Sequence, residues 1–150
     1  MTDELVKIQL TGPDGDVETP WARPLGNDQY ELDNTPWFSY GLSWHDVIEA
    51  RAPAPGEFPE FVRVVRKSGY RTIRISLEPP ADVSPDSQAI LTRLKALGCT
   101  YEGMNHQLIA VDIPPGVDLM VIREFLVTTE QEWEHVDPEY DVLFPNEPAA

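Results

Sequence analysis

The sequence predicts an α+β fold: a small bent antiparallel β-sheet or barrel lobe, followed by a ferredoxin-like βαββαβ lobe. Three observations predict it. The first half breaks into short β-branched runs separated by Gly, Pro, Asn and Asp. Two stretches of the second half change to helical spacing, and each opens on a capping residue. From Tyr70 the order is strand, helix, strand, strand, helix, strand, which is the split βαβ order. The boundaries implied are 1–69 for the β-rich lobe, 70–137 for the ferredoxin-like lobe and 138–150 for an acidic, flexible tail.

Each element has a local reason. Leu5 to Leu10 alternates, so it reads as a first strand. Thr11 to Asp16 is turn chemistry, with Gly12, Pro13 and Gly15. Val17 to Leu25 holds Pro20 and Pro24, which donate no ladder bonds, so an edge strand or an irregular strip is expected. Short strands follow at Gln29–Leu32 and Val47–Arg51. Phe61–Lys67 and Tyr70–Leu77 are β-branched runs on either side of Ser68-Gly69, a two-residue hairpin signal. Tyr70–Leu77 is expected to serve both lobes.

In the second half, Ser84 precedes Pro85 at the first helical position, and Gly98 stands where a helix stops. Cys99–Glu102 and Gln107–Ile113 read as a hairpin around Gly103 to His106. Asp118 caps a second helix, and Trp133–Val136 is the last strand. The apolar phases of these elements predict a core of Val64, Ile73, Ile75, Leu94, Ile109, Val111, Ile122 and Leu126.

Composition narrows the function classes. The chain has 150 residues, 41% of them hydrophobic, and a net charge of -15. Such a chain buries a real core, and no apolar run is long enough to span a membrane. The Met-Thr-Asp-Glu start lacks the basic and apolar regions of a signal peptide, so the cytoplasm is the expected compartment. One cysteine permits no internal disulfide and no cysteine-built zinc site. Charge is uneven: residues 61–75 carry 5 bases and no acid, whereas residues 130–150 carry 7 acids and no base. The net field repels nucleic acids and anionic membranes and attracts a basic protein.

No residue pattern names a reaction. His45 beside Asp46 fits a proton relay, but adjacent turn residues seldom point the same way. His106 falls at a hairpin tip. His135, within Glu132 to Asp137, has no recognised metal spacing. Cys99 reads as a small buried hydrophobe. The serines lack the glycines of a nucleophile elbow, no phosphate-binding glycine loop is present, and no cofactor is expected. Arg63, Arg66, Lys67, Arg71 and Arg74 could form a nucleic-acid surface; pairing with the chain's own carboxylates is the reading its net charge favours. Trp37, Phe38, Tyr40 and Trp44 form the densest aromatic cluster, shared between core and surface.

Glu18 to Gly26, Tyr30 to Ser43, Asp46 to Ala50 and Phe61 to Thr72 together resemble a bacterial family, domain-of-unknown-function family 4265. The likeness is dense over the first half and follows element order in the second. The family brings no established catalytic residues. The resemblance implies a stand-alone bacterial cytoplasmic protein, and small acidic proteins of that sort include toxin-neutralising immunity proteins.

The resulting expectation is a non-enzymatic, acidic immunity protein that blocks a basic toxin by direct complex formation. The expected contacts are Glu130, Glu132, Glu134, Asp137, Glu139 and Asp141, with Trp133 and Tyr140 as anchors. The alternative is a small enzyme or a domain binding a small-molecule ligand in the cleft between the lobes, near His45 and Asp46.

Overall fold

The computed structural model describes residues 4–147. The chain divides into two compact units, Met1–Tyr70 and Arg71–Ala150.

The first unit is built from short antiparallel strands. β1 (Val6–Lys7), β4 (Trp21–Gly26), β5 (Gln29–Leu32), β6 (Val47–Arg51) and β7 (Glu60–Arg66) form an open five-stranded sheet in the order β1-β4-β5-β6-β7. β2 (Leu10–Thr11) and β3 (Val17–Glu18) pair separately. Among the described residues there is no closed barrel. The expected single strand Leu5–Leu10 is thus split. Its alternation is continuous, but β1 pairs with β4 while β2 pairs with β3. Pro24 needs no ladder partner on its outer side, because β1 reaches only Trp21 and Ala22. Asn27 and Asp28 both have positive φ, as a two-residue I′ turn between β4 and β5 requires. The core of this unit is Ile8, Leu10, Ala22, Leu32, Leu42, Ile48 and Ala50. Val64, expected in the core, is only half-buried and packs against its edge.

The second unit is ferredoxin-like. β8 (Arg71–Ser76), α1 (Pro85–Ala96), β9 (Thr100–Gly103), β10 (Leu108–Ile113), α2 (Leu119–Thr128) and β11 (Glu132–Asp137) follow in chain order. The sheet order is β11-β8-β10-β9, with every pair antiparallel. Ser84 accepts from the Ser87 N–H at the start of α1, and Asp118 accepts from the Met120 N–H at the start of α2. Gly98 follows α1 with φ +102, and a Cβ there would stand 2.9 Å from Val117. Register places Ile73 opposite Val111 and Ile75 opposite Ile109. Those four side chains pack with Leu91 and Leu94 of α1 and Leu119, Ile122 and Leu126 of α2 in one core.

Two expectations about the β7–β8 region need correction. Ser68-Gly69 does not close a hairpin, because β7 pairs with β6 while β8 pairs with β10 and β11. β8 therefore serves the second sheet alone. The reason lies in what Ser68 bonds. Its N–H donates to Asp46 Oδ1 at 2.8 Å and its hydroxyl donates to the Trp44 carbonyl at 2.7 Å. The stretch expected as a tail contains one helical turn, α3 (Tyr140–Leu143), and Leu143 packs against the core.

Candidate functional site

In the second unit β11 is an edge strand, and α3 follows it. Alternation along β11 turns Glu132 and Glu134 outward and Trp133 and His135 toward the core side. The structure thus sorts the expected contact residues. Glu130, Glu132, Glu139 and Asp141 are exposed and form no ion pair among the described residues. Glu134 is half-exposed, and Arg74 Nε, buried on the neighbouring strand, donates to it at 3.1 Å. Asp137 is buried and so is removed from any contact surface. Trp133 is half-buried against the core, and Tyr140 is half-buried with its ring 4.9 Å from Phe144.

Beside these acids lies a polar hollow of about 510 Å³, walled in part by Glu78, Glu130 and Glu132. Its wall is held by side-chain amides. Gln107 Nε2 donates to the Glu78 carboxylate at 2.9 Å, while Gln131 both accepts from the Glu78 N–H and donates to its carbonyl.

Under β11, Arg123 of α2 donates from Nε to His135 Nε2 at 2.9 Å. The guanidinium lies 4.6 Å from the Phe144 ring centroid and 5.8 Å from that of Trp133. Because Nε2 accepts, the neutral ring carries its proton on Nδ1, which is buried without a hydrogen-bond partner among the described residues. Burial, then the Arg123 charge, pushes the imidazole down to about 4. His135 is therefore a neutral acceptor near neutral pH, its Nε2 engaged by Arg123.

The residues of the alternative reading lie in the first unit. His45 has φ 69, stacks on Trp44 at 4.2 Å, and meets Glu31 Oε2 through Nδ1 at 2.9 Å. Its carboxylate partner is Glu31, not the adjacent Asp46. Asp46 is fully buried and accepts from the Ser43 N–H at 2.9 Å, from the Ser68 N–H and from Lys67 Nζ. It ties the loop before β6 to the segment after β7. Glu18 ties down a loop in the same way, accepting from the Trp37, Phe38 and Ser39 N–H groups. Sequence reasoning missed both Glu18 and Glu31, because their partners stand 14 to 21 residues away and no motif marks them.

The basic run 61–75 is largely consumed inside the chain. Arg63 pairs with Glu49, Lys67 with Asp46 and Arg74 with Glu134, while Arg71 donates to the Pro114 and Val117 carbonyls. Cys99 is buried, and burial pushes its thiol up to about 11, so it is a poor nucleophile. His106 is exposed in the β9–β10 turn. Among the described residues no three His, Cys, Asp or Glu side chains are grouped to hold a metal ion, and no helix is long and apolar enough to cross a membrane.

Comparison with known proteins agrees with this fold. A crystal structure of a hypothetical protein from Neisseria gonorrhoeae is similar, with a TM-score of 0.69 and 14% identity. That likeness covers 93% of this chain and 99% of the other, and at such identity it speaks for the fold alone. No curated protein matches the chain. The family described as Domain of unknown function (DUF4265) matches residues 18–136, which carries the likeness beyond the first half to most of the chain. With a match of that extent, from β3 nearly to the end of β11, the chain belongs to the DUF4265 family.

Proposed function

We propose that this protein works by binding, as an acidic immunity protein that neutralises a basic toxin domain in the cytoplasm. The observation that carries the reading is the set of exposed carboxylates at Glu130, Glu132, Glu139 and Asp141, which form no ion pair among the described residues and lie around an edge strand and a short helix. Exposed like charges raise the rate of encounter with a basic surface and reject acidic partners. They cost little when they stay solvated at the rim of a contact.

The test takes a reading frame that adjoins this gene and encodes a basic domain, and titrates its purified product calorimetrically against the full chain. A one-to-one complex, weakened about tenfold or more by reversing Glu132, Glu139 and Asp141 to Lys together, is the expected result. These side chains are exposed, so the fold should survive. No binding, or binding indifferent to the triple reversal, would remove the reading.

A further inference from the structure

Helix α2 has two apolar stripes. Leu119, Ile122 and Leu126 face the core and are 6%, 0% and 0% exposed. Met120, Val121, Glu124, Val127 and Thr128 repeat at i, i+1, i+4, i+7 and i+8 on the opposite side, and all are exposed. The apolar members of that outer stripe, Met120, Val121 and Val127, are 39%, 43% and 63% exposed. A helix that is apolar on both sides ordinarily lies inside a protein or against a partner. α2 carries only two charges, Arg123 and Glu124. Arg123 is held by His135 and by the rings of Trp133 and Phe144, and its Nη1 also donates to Met120 Sδ at 3.9 Å. The outer stripe therefore presents apolar side chains around the Glu124 carboxylate, with the Arg123 guanidinium against Met120 at its flank and exposed Asp118 and Glu130 just beyond its two ends.

We infer that this outer stripe of α2 is a docking face for a basic protein, whose apolar side chains cover Met120, Val121 and Val127 while a Lys or Arg pairs with Glu124. The inference rests on the proposed binding of a basic partner and names where it docks. Charge complementarity chooses the occupant. A second copy placed across a two-fold axis would set Asp118, Glu124 and Glu130 against the same acids, in a chain of net charge -15. An anionic membrane surface is repelled for the same reason. A basic face with an apolar centre meets both the stripe and its carboxylates.

The experiment maps backbone amide shifts of the full chain on adding a synthetic amphipathic helix of Leu and Lys, with a Leu and Glu helix as control. The expected result is a set of shifts centred on residues 118–130 for the basic peptide and none for the acidic one. Val127→Lys should weaken that binding about tenfold, and because the side chain is exposed the variant should keep its fold. Shifts centred on Glu132, Glu139 and Asp141 alone would overturn the docking face while leaving a basic partner in place. Absence of binding by the basic peptide would also overturn the docking face; the basic-partner reading itself falls only if the neighbouring gene product fails to bind. Dimerisation in sedimentation velocity that Val127→Lys abolishes would overturn it in favour of a second copy.

Discussion

The Glu18 carboxylate organises a whole loop from one buried position. It accepts three successive N–H groups, of Trp37, Phe38 and Ser39, at 2.6, 2.9 and 3.0 Å, and the Ser39 hydroxyl at 3.2 Å. Those donors would otherwise be left without partners where burial makes that costly. Glu18→Gln keeps the shape but turns an amide NH₂ toward the donors. Stability should fall by about 1–3 kcal/mol, read as a lower urea midpoint at unchanged slope. His135 gives a pH signature of its own, set by a buried neutral ring. Its folded value, about 4, lies below the ordinary 6.5, so the unfolded chain binds the proton more readily. The stability it contributes is complete above the unfolded value and is lost as pH falls from about 6.5 to about 4. The loss should be of order 2–4 kcal/mol. Urea titrations of the wild type and His135→Gln at the two ends of that window check this. The variant should lack this component of the pH dependence, leaving the carboxylate contributions common to both.

At the scale of elements, local signals and distant ones separate cleanly. Both long helices were legible because their determinants are contiguous: Ser84 with Pro85, Gly98, Asp118, and apolar residues at helical spacing between them. Leu94 follows from that spacing and is fully buried in the core of the second unit. Leu94→Ala should cost about 2–5 kcal/mol, seen as a large drop in melting temperature. The misread hairpin has the opposite origin. Ser68-Gly69 carries ordinary turn chemistry, but the Ser68 N–H belongs to Asp46, 22 residues back. No local rule says which strand a turn delivers the chain to. The split of Leu5–Leu10 is similar, since alternation fixes which side chains share a face and not which strand lies alongside. Register shifts in β7 against β6 add a further break between pattern and burial, and Val64 ends half-buried, packed against the core rather than within it.

At the scale of the molecule, charge is the property the sequence states most plainly and the one the fold redistributes. Most of the basic run 61–75 is spent within the chain, on Glu49, Asp46, Glu134 and two carbonyls. That pairing takes Glu134 partly out of the acidic surface, burial takes Asp137 out altogether, and Glu130, Glu132, Glu139 and Asp141 stay unanswered among the described residues. The candidate site was therefore half legible: acid content is visible in the sequence, but which acids face solvent depends on the pleat of β11 and on Arg74 from another strand. The outer stripe of α2 is not legible from helical periodicity alone, because periodicity marks one core face and this helix has two apolar faces. The most direct test of the binding account is stopped-flow association of the full chain with the neighbouring gene product at low and high ionic strength. Association should slow by about tenfold or more at high salt while dissociation changes little, because screening acts on encounter. An association rate indifferent to salt would contradict the account.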